Sequence, residues 1–499
     1  MSNLLALQNG SDIRGIALNT EDLQANLTEQ EAKLIASGII RWYVKKMNKV
    51  PESLKVGIGC DSRLTGPSLK QAMIETFNEY GVAIIDFEMA TTPAMFMSTQ
   101  FAQFDCDIAI MLTASHLPYY YNGIKIFTKE GGVEKEDIQQ ILSLSLEKQN
   151  YEFSHGSLRT ADLLSPYATF LVEKIQTATK QDRPLSGWHI IVDAGNGAGG
   201  FFAQKVLEVL GADTSGSQFL APDGHFPNHI PNPDNKEAMA SISQAVLDHQ
   251  ADLGVIFDTD VDRSALVTKD GMFLNRNNLI AVLSQIVLHE HPGSSIVTNS
   301  PTSSHLKTFI ESLGGKQVRY ISGYRNVINK AVALNQEGID CQLAIETSGH
   351  AAFKENYFLD DGAYVIAKVL MLLPKLKAEN RSLEDLIAAL QQPAETLEVR
   401  FKLEVDAFKD LGQQVIDSFR TWQVEDITQD LENHEGVRFN VTGKYGSGWF
   451  LLRMSLHEPL LVLQVENDEK GKIPLVLQQI HEQMNQFPKV NQEKLLAHL

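Results

Sequence analysis

Cysteine is scarce: Cys60, Cys106 and Cys341 are the only three in 499 residues, and they stand far apart with no metal-ligand spacing. That scarcity excludes a disulfide framework and a thiolate-bound metal, and it points to a reduced, cytoplasmic setting. Long apolar runs are missing too. No stretch approaches the ~20 residues of a membrane span, and Leu279–Leu288 has the length of a core helix. No basic segment precedes the short apolar run after Met1, so no signal peptide is expected. Positive charge is in deficit: 43 Lys and Arg face 62 Asp and Glu, a net charge of −19. Such a balance argues against a nucleic-acid partner, while leaving room for a local basic pocket.

What is present is the composition of a soluble globular protein, and the length implies about three or four domains. Strand-like runs Lys55–Gly59, Gly81–Asp86 and Asp107–Leu112 alternate with helical patterns such as Ser68–Tyr80. The pattern restarts at Trp188–Asp193 and again at Ser295–Thr298 after His291-Pro-Gly. Pro166 and Pro184 are expected to flank a linking helix. Beyond about 390, Glu395–Val405 and Gly436–Gly446 read as antiparallel strands. The expected fold class is therefore α/β: three consecutive α/β domains with mixed, largely parallel sheets, then an α+β C-terminal domain. The expected spans are 1–165, 166–272, 273–390 and 391–499.

The most informative segment is Asp258-Thr-Asp260-Val-Asp262-Arg263, which follows the apolar strand pattern Leu253–Phe257. Read as extended chain, its alternation sends the three carboxylates to one side. Carboxylates packed that closely repel unless a cation neutralises them, and oxygen-only ligands suit Mg²⁺ or Ca²⁺. Arg263 beside them is a natural phosphate partner. An EF-hand loop fails here, because Arg263 and Lys269 occupy the positions that need Gly and Glu. A haloacid-dehalogenase-type phosphatase is weakened by Asp262 at the fifth position, and it would make Asp258 a nucleophile.

Other segments are ambiguous alone. Thr113-Ala-Ser115-His116-Leu-Pro118 follows a strand, where α/β proteins place ligands, but it also reads as an ordinary turn. Tyr121–Phe127 reads as a turn and short strand that returns Lys125 to the same edge. Arg14 and Arg63 sit in Gly-flanked loops, suited to phosphate or to a structural carboxylate pair. Glu346-Thr-Ser348-Gly-His350 has the spacing to grip sugar hydroxyls. Arg453-Met-Ser455-Leu-His457-Glu-Pro459 offers a phosphate cradle or a surface hairpin turn. Ala194–Gly200 lacks the G-x-G-x-x-G spacing and reads as a tight structural turn.

Together and in this order, these segments resemble the α-D-phosphohexomutase family, specifically its phosphomannomutase/phosphoglucomutase group. Thr113–Pro118 is similar to the phosphoserine loop T-A/G-S-H-N-P, and Asp258–Arg263 to the metal loop D-G-D-x-D-R. Glu346–His350 is similar to the sugar loop G-E-x-S-G-H, extended by Lys354-Glu355 and Asp360-Asp361-Gly362; Arg453–Pro459 is similar to the terminal phosphate loop. The resemblance implies a phosphoryl group carried on Ser115, and Mg²⁺ held by Ser115, Asp258, Asp260 and Asp262. It implies catalytic support from His116, Lys125 and Arg14, and substrate binding by Arg263, Glu346, Ser348, His350, Arg325, Arg453 and Ser455. A hexose 1-phosphate and 6-phosphate of glucose or mannose would interconvert through a hexose 1,6-bisphosphate.

The chain departs from the family at Leu117 for Asn, Thr259 for Gly, Ile345 for Gly, and Leu456-His457 in the terminal loop. The altered terminal loop motivates an alternative, a hexose 1,6-bisphosphate synthase on the same scaffold; phosphoglucosamine mutase is a further one. A non-catalytic sugar-phosphate sensor would have no use for Ser115 and three aspartates. The expected partners are small sugar phosphates, with no nucleic acid and no membrane, in a monomer or homodimer.

Overall fold

The computed structural model describes residues 3–147, 154–455 and 458–499; Leu456 and His457, two of the departures, lie outside the described residues. The chain divides into two compact units: Met1–Leu279 with Ser348–Leu383, and Ile280–Thr347 with Glu384–Leu499. Among the described residues no helix is long and apolar enough to cross a membrane.

In the first unit, the N-terminal sheet runs Gln8–Asn9, Asp12–Ile16, Tyr121–Thr128, Ile108–Leu112, Lys55–Cys60, Ala83–Met89, Ser157–Thr160. Its centre is parallel because helix Gly66–Glu79 and helix Thr92–Met97 carry the chain back across it. All five residues of Ile108–Leu112 are buried, which is why that strand reads as an unbroken apolar run. Tyr121–Thr128 returns antiparallel beside it as an eight-residue strand and places Lys125 opposite Met111; the turn expected at its start lies just ahead of it, where Tyr121 N donates to Pro118 O at 3.0 Å. Asp12–Ile16 pairs next to it, with Arg14 opposite Gly123.

The second sheet has the order Phe273–Leu274, Ser264–Thr268, Leu253–Phe257, Ile190–Asp193. Leu253–Phe257 and Ser264–Thr268 form a hairpin closed at Phe257↔Ser264, so Asp258–Arg263 is its connection. Helix Leu164–Thr179 carries Pro166 within its first turn, where a missing N–H costs nothing, rather than ahead of it. The Ala194–Gly200 turn packs on the hairpin connection: Ala198 N donates to Thr259 O at 2.8 Å.

In the second unit, Lys316–Tyr320, Ser295–Asn299 and Cys341–Ile345 lie parallel. The C-terminal domain is an antiparallel sheet ordered Glu395–Lys402, Leu460–Asn467, Gly448–Met454, Val437–Val441, Ile427–Gln429. Helices Phe408–Arg420 and Ile473–Met484 cover it through Val415, Phe419, Val476 and Ile480. The strand read over Gly436–Gly446 stops at Val441, because Gly443–Tyr445 turns as a 3₁₀ segment.

A Cβ at Gly197 would lie 2.6 Å from Thr259 O and 2.7 Å from Thr259 Cα, backbone that cannot swing aside. Gly197→Ala should therefore cost about 1–3 kcal/mol in thermal unfolding and displace the Asp258–Arg263 connection. An unchanged melting temperature would show that the turn and the connection are not in firm contact.

Candidate functional site

The acidic segment is not the extended chain that its alternation suggests. Asp258 N donates to Arg263 O at 3.2 Å, and the chain reverses with Val261 at φ 67°. A β-branched residue in the left-handed region costs about 1–3 kcal/mol, and two partners hold it there. Val261 N donates to Asp258 O at 3.4 Å, and Gly362 N donates to Val261 O at 3.0 Å. Gly362 is required at that approach, since a Cβ would lie 2.7 Å from Arg263 C. Thr259, the departure from glycine, sits outside the left-handed region, so its side chain imposes no backbone cost.

The turn gathers what the alternation was expected to gather. Carboxylate oxygens of Asp258, Asp260 and Asp262 lie within 4.8 Å of one another, and none of the three residues has exposed surface. Side chains from the N-terminal sheet and its helices engage one oxygen of Asp262 and one of Asp260. Lys125 Nζ donates to Asp262 Oδ2 at 2.8 Å, and Thr92 Oγ1 donates to Asp260 Oδ2. Asp260 Oδ1 and Asp262 Oδ1 remain buried with no hydrogen-bond partner. Two orphaned carboxylate oxygens beside a third carboxylate, with oxygen donors alone, fit a hard divalent cation. Charge agrees with this: counted as ionised, Asp12, Asp61, Asp258, Asp260, Asp262 and Asp360 are six against Arg14, Arg63, Lys125 and Arg263, which leaves two negative charges.

Ser115 lies at this cluster with 1% of its surface exposed and φ 52°. Its Oγ donates to Asp258 Oδ2 at 3.0 Å and accepts from an Arg263 guanidinium nitrogen at 2.9 Å. Arg263 also donates through Nε to Asp258 Oδ2 at 3.1 Å. The same guanidinium donates to His116 Nδ1 at 2.5 Å, and its charge, aided by burial, holds that imidazole well below its usual range. His116 is therefore neutral, 3.4 Å from Ser115 Oγ. Arg14 donates to Asp12 Oδ2 at 2.9 Å, and Lys125 stands 3.8 Å from the same oxygen.

Arg63 proves to be the structural member of the two N-terminal arginines. It is 1% exposed and donates to four carbonyls of the serine loop: Ser115 at 2.5 Å, Leu117 at 2.6 Å, Pro118 at 2.8 Å and Tyr121 at 2.9 Å. Its Nε faces Asp61 at 3.5 Å. Thr113 Oγ1 accepts from Ser115 N at 2.9 Å and completes the left-handed turn.

From the sugar-loop segment, Ser348 and His350 belong to this first unit. His350 Nδ1 is 2.5 Å from Asp360 Oδ2 and 4.0 Å from Asp262 Oδ1, and Ser348 Oγ is buried with no hydrogen-bond partner. Glu346 belongs to the second unit. It is 5% exposed rather than solvated, and its Oε1 accepts from Gly323 N at 2.7 Å, just ahead of the helix Tyr324–Gln336 that carries Arg325. In the C-terminal domain Arg453 is 3.7 Å from Glu435, and Ser455 Oγ accepts from Glu458 N at 3.3 Å. Within the second unit the last sheet is tied to the α/β segment before it. Buried Arg438 donates to Ser300 O at 3.0 Å and Thr302 O at 2.9 Å, and His305 pairs with Asp468 at 2.6 Å. Sequence reasoning gave no role to Thr92, whose partner Asp260 lies 168 positions away and leaves no local trace.

The carboxylates titrate unlike solvated ones. Burial, then Asp262 and Asp260, push Asp258 well above its ordinary value; burial and Asp262 push Asp260 up to about 6. Asp262 moves the other way, since Lys125, His350 and Arg263 outweigh its burial. For Asp258 and Asp260 the folded value exceeds the unfolded one, so their contribution is complete below pH ~4 and is lost as pH rises through the folded values. In chelator, the melting temperature should fall between about pH 5 and pH 7, and the gain on adding Mg²⁺ should grow over the same window. Asp260→Asn should flatten both trends; a pH-independent gain from Mg²⁺ would exclude this cluster as its binding place. A second expectation concerns Arg63→Lys, whose single ammonium cannot serve four carbonyls. Amide hydrogen exchange in residues 115–121 should accelerate at least ~10-fold, about the loss of one hydrogen bond's net stability. Unchanged exchange there would mean that Arg63 does not hold the loop.

The chain matches three domain descriptions in succession. Phosphoglucomutase/phosphomannomutase alpha/beta/alpha domain I covers residues 6–152, domain II covers 165–271, and domain III covers 275–394. It is 30% identical over 423 residues to a phosphomannomutase/phosphoglucomutase of Pseudomonas putida, covering 84% of this chain and 85% of that protein. It is 30% identical over 475 residues to a phosphoglucomutase of Neisseria meningitidis, covering 94% of each. In fold, it superposes on a phosphoglucomutase/phosphomannomutase family protein of Burkholderia thailandensis with a TM-score of 0.80, at 24% identity, covering 98% of this chain and 99% of that one. With Ser115, the three aspartates and Arg263 meeting at one point, and matches that span all three α/β domains, the chain belongs to the phosphoglucomutase/phosphomannomutase family, the α-D-phosphohexomutases.

Proposed function

We propose that this chain interconverts the 1-phosphates and 6-phosphates of glucose and mannose through a phosphoserine at Ser115 and a hexose 1,6-bisphosphate intermediate. The observation that carries this reading is Ser115 Oγ held between Asp258 and Arg263, at the edge of three buried carboxylates. Membership of a family of hexose-phosphate mutases supports it. In the first half-reaction a phosphorus–oxygen bond at Ser115 breaks, a new one forms to the sugar hydroxyl, and that hydroxyl's proton is left to Ser115 Oγ; the second half-reaction reverses these changes, breaking the bond between the sugar and its other phosphate and forming one to Ser115 Oγ. The bisphosphate then presents its other phosphate, which returns to Ser115. Transfer of this kind needs alignment and charge compensation more than a strong base.

The chain's residues divide those tasks. Arg263 and His116 position Ser115 Oγ, and Arg263, Lys125 and Arg14 set positive charge against the transferring group. Asp258, Asp260, Asp262 and an oxygen on Ser115 are the groups that would hold Mg²⁺. Bound there, the ion would neutralise the carboxylates and polarise the phosphoryl oxygens. The sugar-hydroxyl roles of Glu346, Ser348 and His350, and the phosphate roles of Arg325, Arg453 and Ser455, rest on the family motifs. A cytoplasmic setting accords with three cysteines that are all buried and free.

Phosphorus NMR tests the reading directly, with Mg²⁺, glucose 1-phosphate and a trace of glucose 1,6-bisphosphate, and mannose 1-phosphate in a parallel tube. Conversion to the 6-phosphate without free phosphate is expected, and Ser115→Ala should lose it while keeping the melting temperature. Turnover retained in Ser115→Ala would remove the phosphoserine role. No conversion in either tube, with hexose 1,6-bisphosphate accumulating once a separate donor bisphosphate is supplied, would make the enzyme a bisphosphate synthase instead.

A further inference from the structure

Thr92 opens the short helix Thr92–Met97, yet its hydroxyl takes no part in the cap. Thr91 caps that helix, accepting from Ala94 N at 3.3 Å, and Pro93 follows within the first turn. An opening helical residue has an N–H with no intrahelical partner. Thr92 N donates instead to Asp260 O at 2.9 Å, and Thr92 Oγ1 donates to Asp260 Oδ2. Both atoms of one residue therefore grip one residue of the acidic hairpin connection, backbone to backbone and hydroxyl to carboxylate. Thr92 is 2% exposed and Asp260 has no exposed surface, so water does not compete for either bond.

The hydroxyl has a directional consequence. A carboxylate rotates about its last torsion, and that torsion is broad and two-fold. With Oδ2 engaged by Thr92, the plane is fixed and Oδ1 is the oxygen left buried without a partner. Asp262 shows a similar division, with Oδ2 engaged by Lys125 and Oδ1 without a hydrogen bond, 3.9 Å from Arg263 Nε and 4.0 Å from His350 Nδ1. Outer partners of this kind set how a ligand presents itself, and their removal costs about 10–100-fold in metal affinity.

We infer that Thr92 is a positioning residue for the divalent cation: its hydroxyl turns the Asp260 carboxylate so that Oδ1 faces the ion, while its amide holds the connection in place. The inference rests on the reading of Asp258, Asp260 and Asp262 as the cation site. Thr92→Val keeps the β-branch before Pro93 and the amide contact, and replaces the hydroxyl with a methyl group. Thr92→Ser restores the hydroxyl without the methyl group.

The test is direct binding of Mn²⁺, followed by the paramagnetic signal of the free ion, in the wild-type protein, Thr92→Val, Thr92→Ser and Asp260→Asn. Thr92→Val should bind Mn²⁺ about 10-fold or more weakly and Thr92→Ser within about 3-fold of wild type, with circular dichroism showing every variant folded in chelator at the temperature of the titration. Mutase activity of Thr92→Val should recover as Mg²⁺ is raised, with the hexose-phosphate KM unmoved at saturating metal. Wild-type Mn²⁺ affinity in Thr92→Val would overturn the positioning role and leave the cation site standing. Wild-type affinity in Asp260→Asn would overturn the cation site and the inference with it. Should Thr92→Val not fold, Thr92→Ala offers the same comparison, with Thr92→Ser as its rescue.

Discussion

Mutual repulsion among Asp258, Asp260 and Asp262, three carboxylates without exposed surface whose oxygens lie within 4.8 Å, is the constraint around which the first unit is arranged. Isolated, each charge would be too costly to bury. The surroundings answer with specific donors: Arg263 on Asp258, Thr92 on Asp260 and Lys125 on Asp262. With every carboxylate ionised an excess of two negative charges remains, which a divalent ion matches. The cost of assembling the cluster is thus tied to the ability to bind one.

That arrangement explains why so much of the local chain is strained or glycine-dependent. Ser115 and Val261 both occupy the left-handed region, and neither is glycine. Their conformations persist because the neighbours leave no alternative: Arg63 grips four carbonyls around Ser115, and Gly362 N holds the Val261 carbonyl. Strain held by surrounding structure keeps a reactive side chain aimed without relying on its own preferences. In the proposed reaction the serine hydroxyl, placed between a carboxylate and a guanidinium, would carry the phosphoryl group with its charge compensated.

Much of the scaffold was legible in the residues. Leu253–Phe257 is bounded to the residue, since a fully buried strand reads as an unbroken apolar run ended by a polar turn. The family motifs join the serine, metal and sugar loops in one expected mechanism. The acidic loop was less faithfully read. Period-two spacing suggested an extended segment, whereas a hairpin connection with a left-handed valine brings the same three carboxylates together. Alternation and a tight turn can deliver similar clusters, and local pattern does not distinguish them. Pro166 misled for a related reason, because proline fits the first turn of a helix as well as the residue ahead of it.

The sequence by itself determined the class of chemistry. Three aspartates at alternate positions with an adjacent arginine specify oxygen ligands and a counter-charge, and the resemblance of Thr113–Pro118 to a phosphoserine loop implies the phosphoryl carrier. Tertiary structure decided which groups act on which. Only folding brings Thr92 to Asp260, separates Arg63 as a loop clamp from Arg14 beside Asp12, and buries Glu346 against Gly323 N. The physical reason is that residue type and spacing encode what a side chain can do within its own turn or strand. The partner that orients it comes from a distant segment, and the packing of whole sheets and helices chooses that partner.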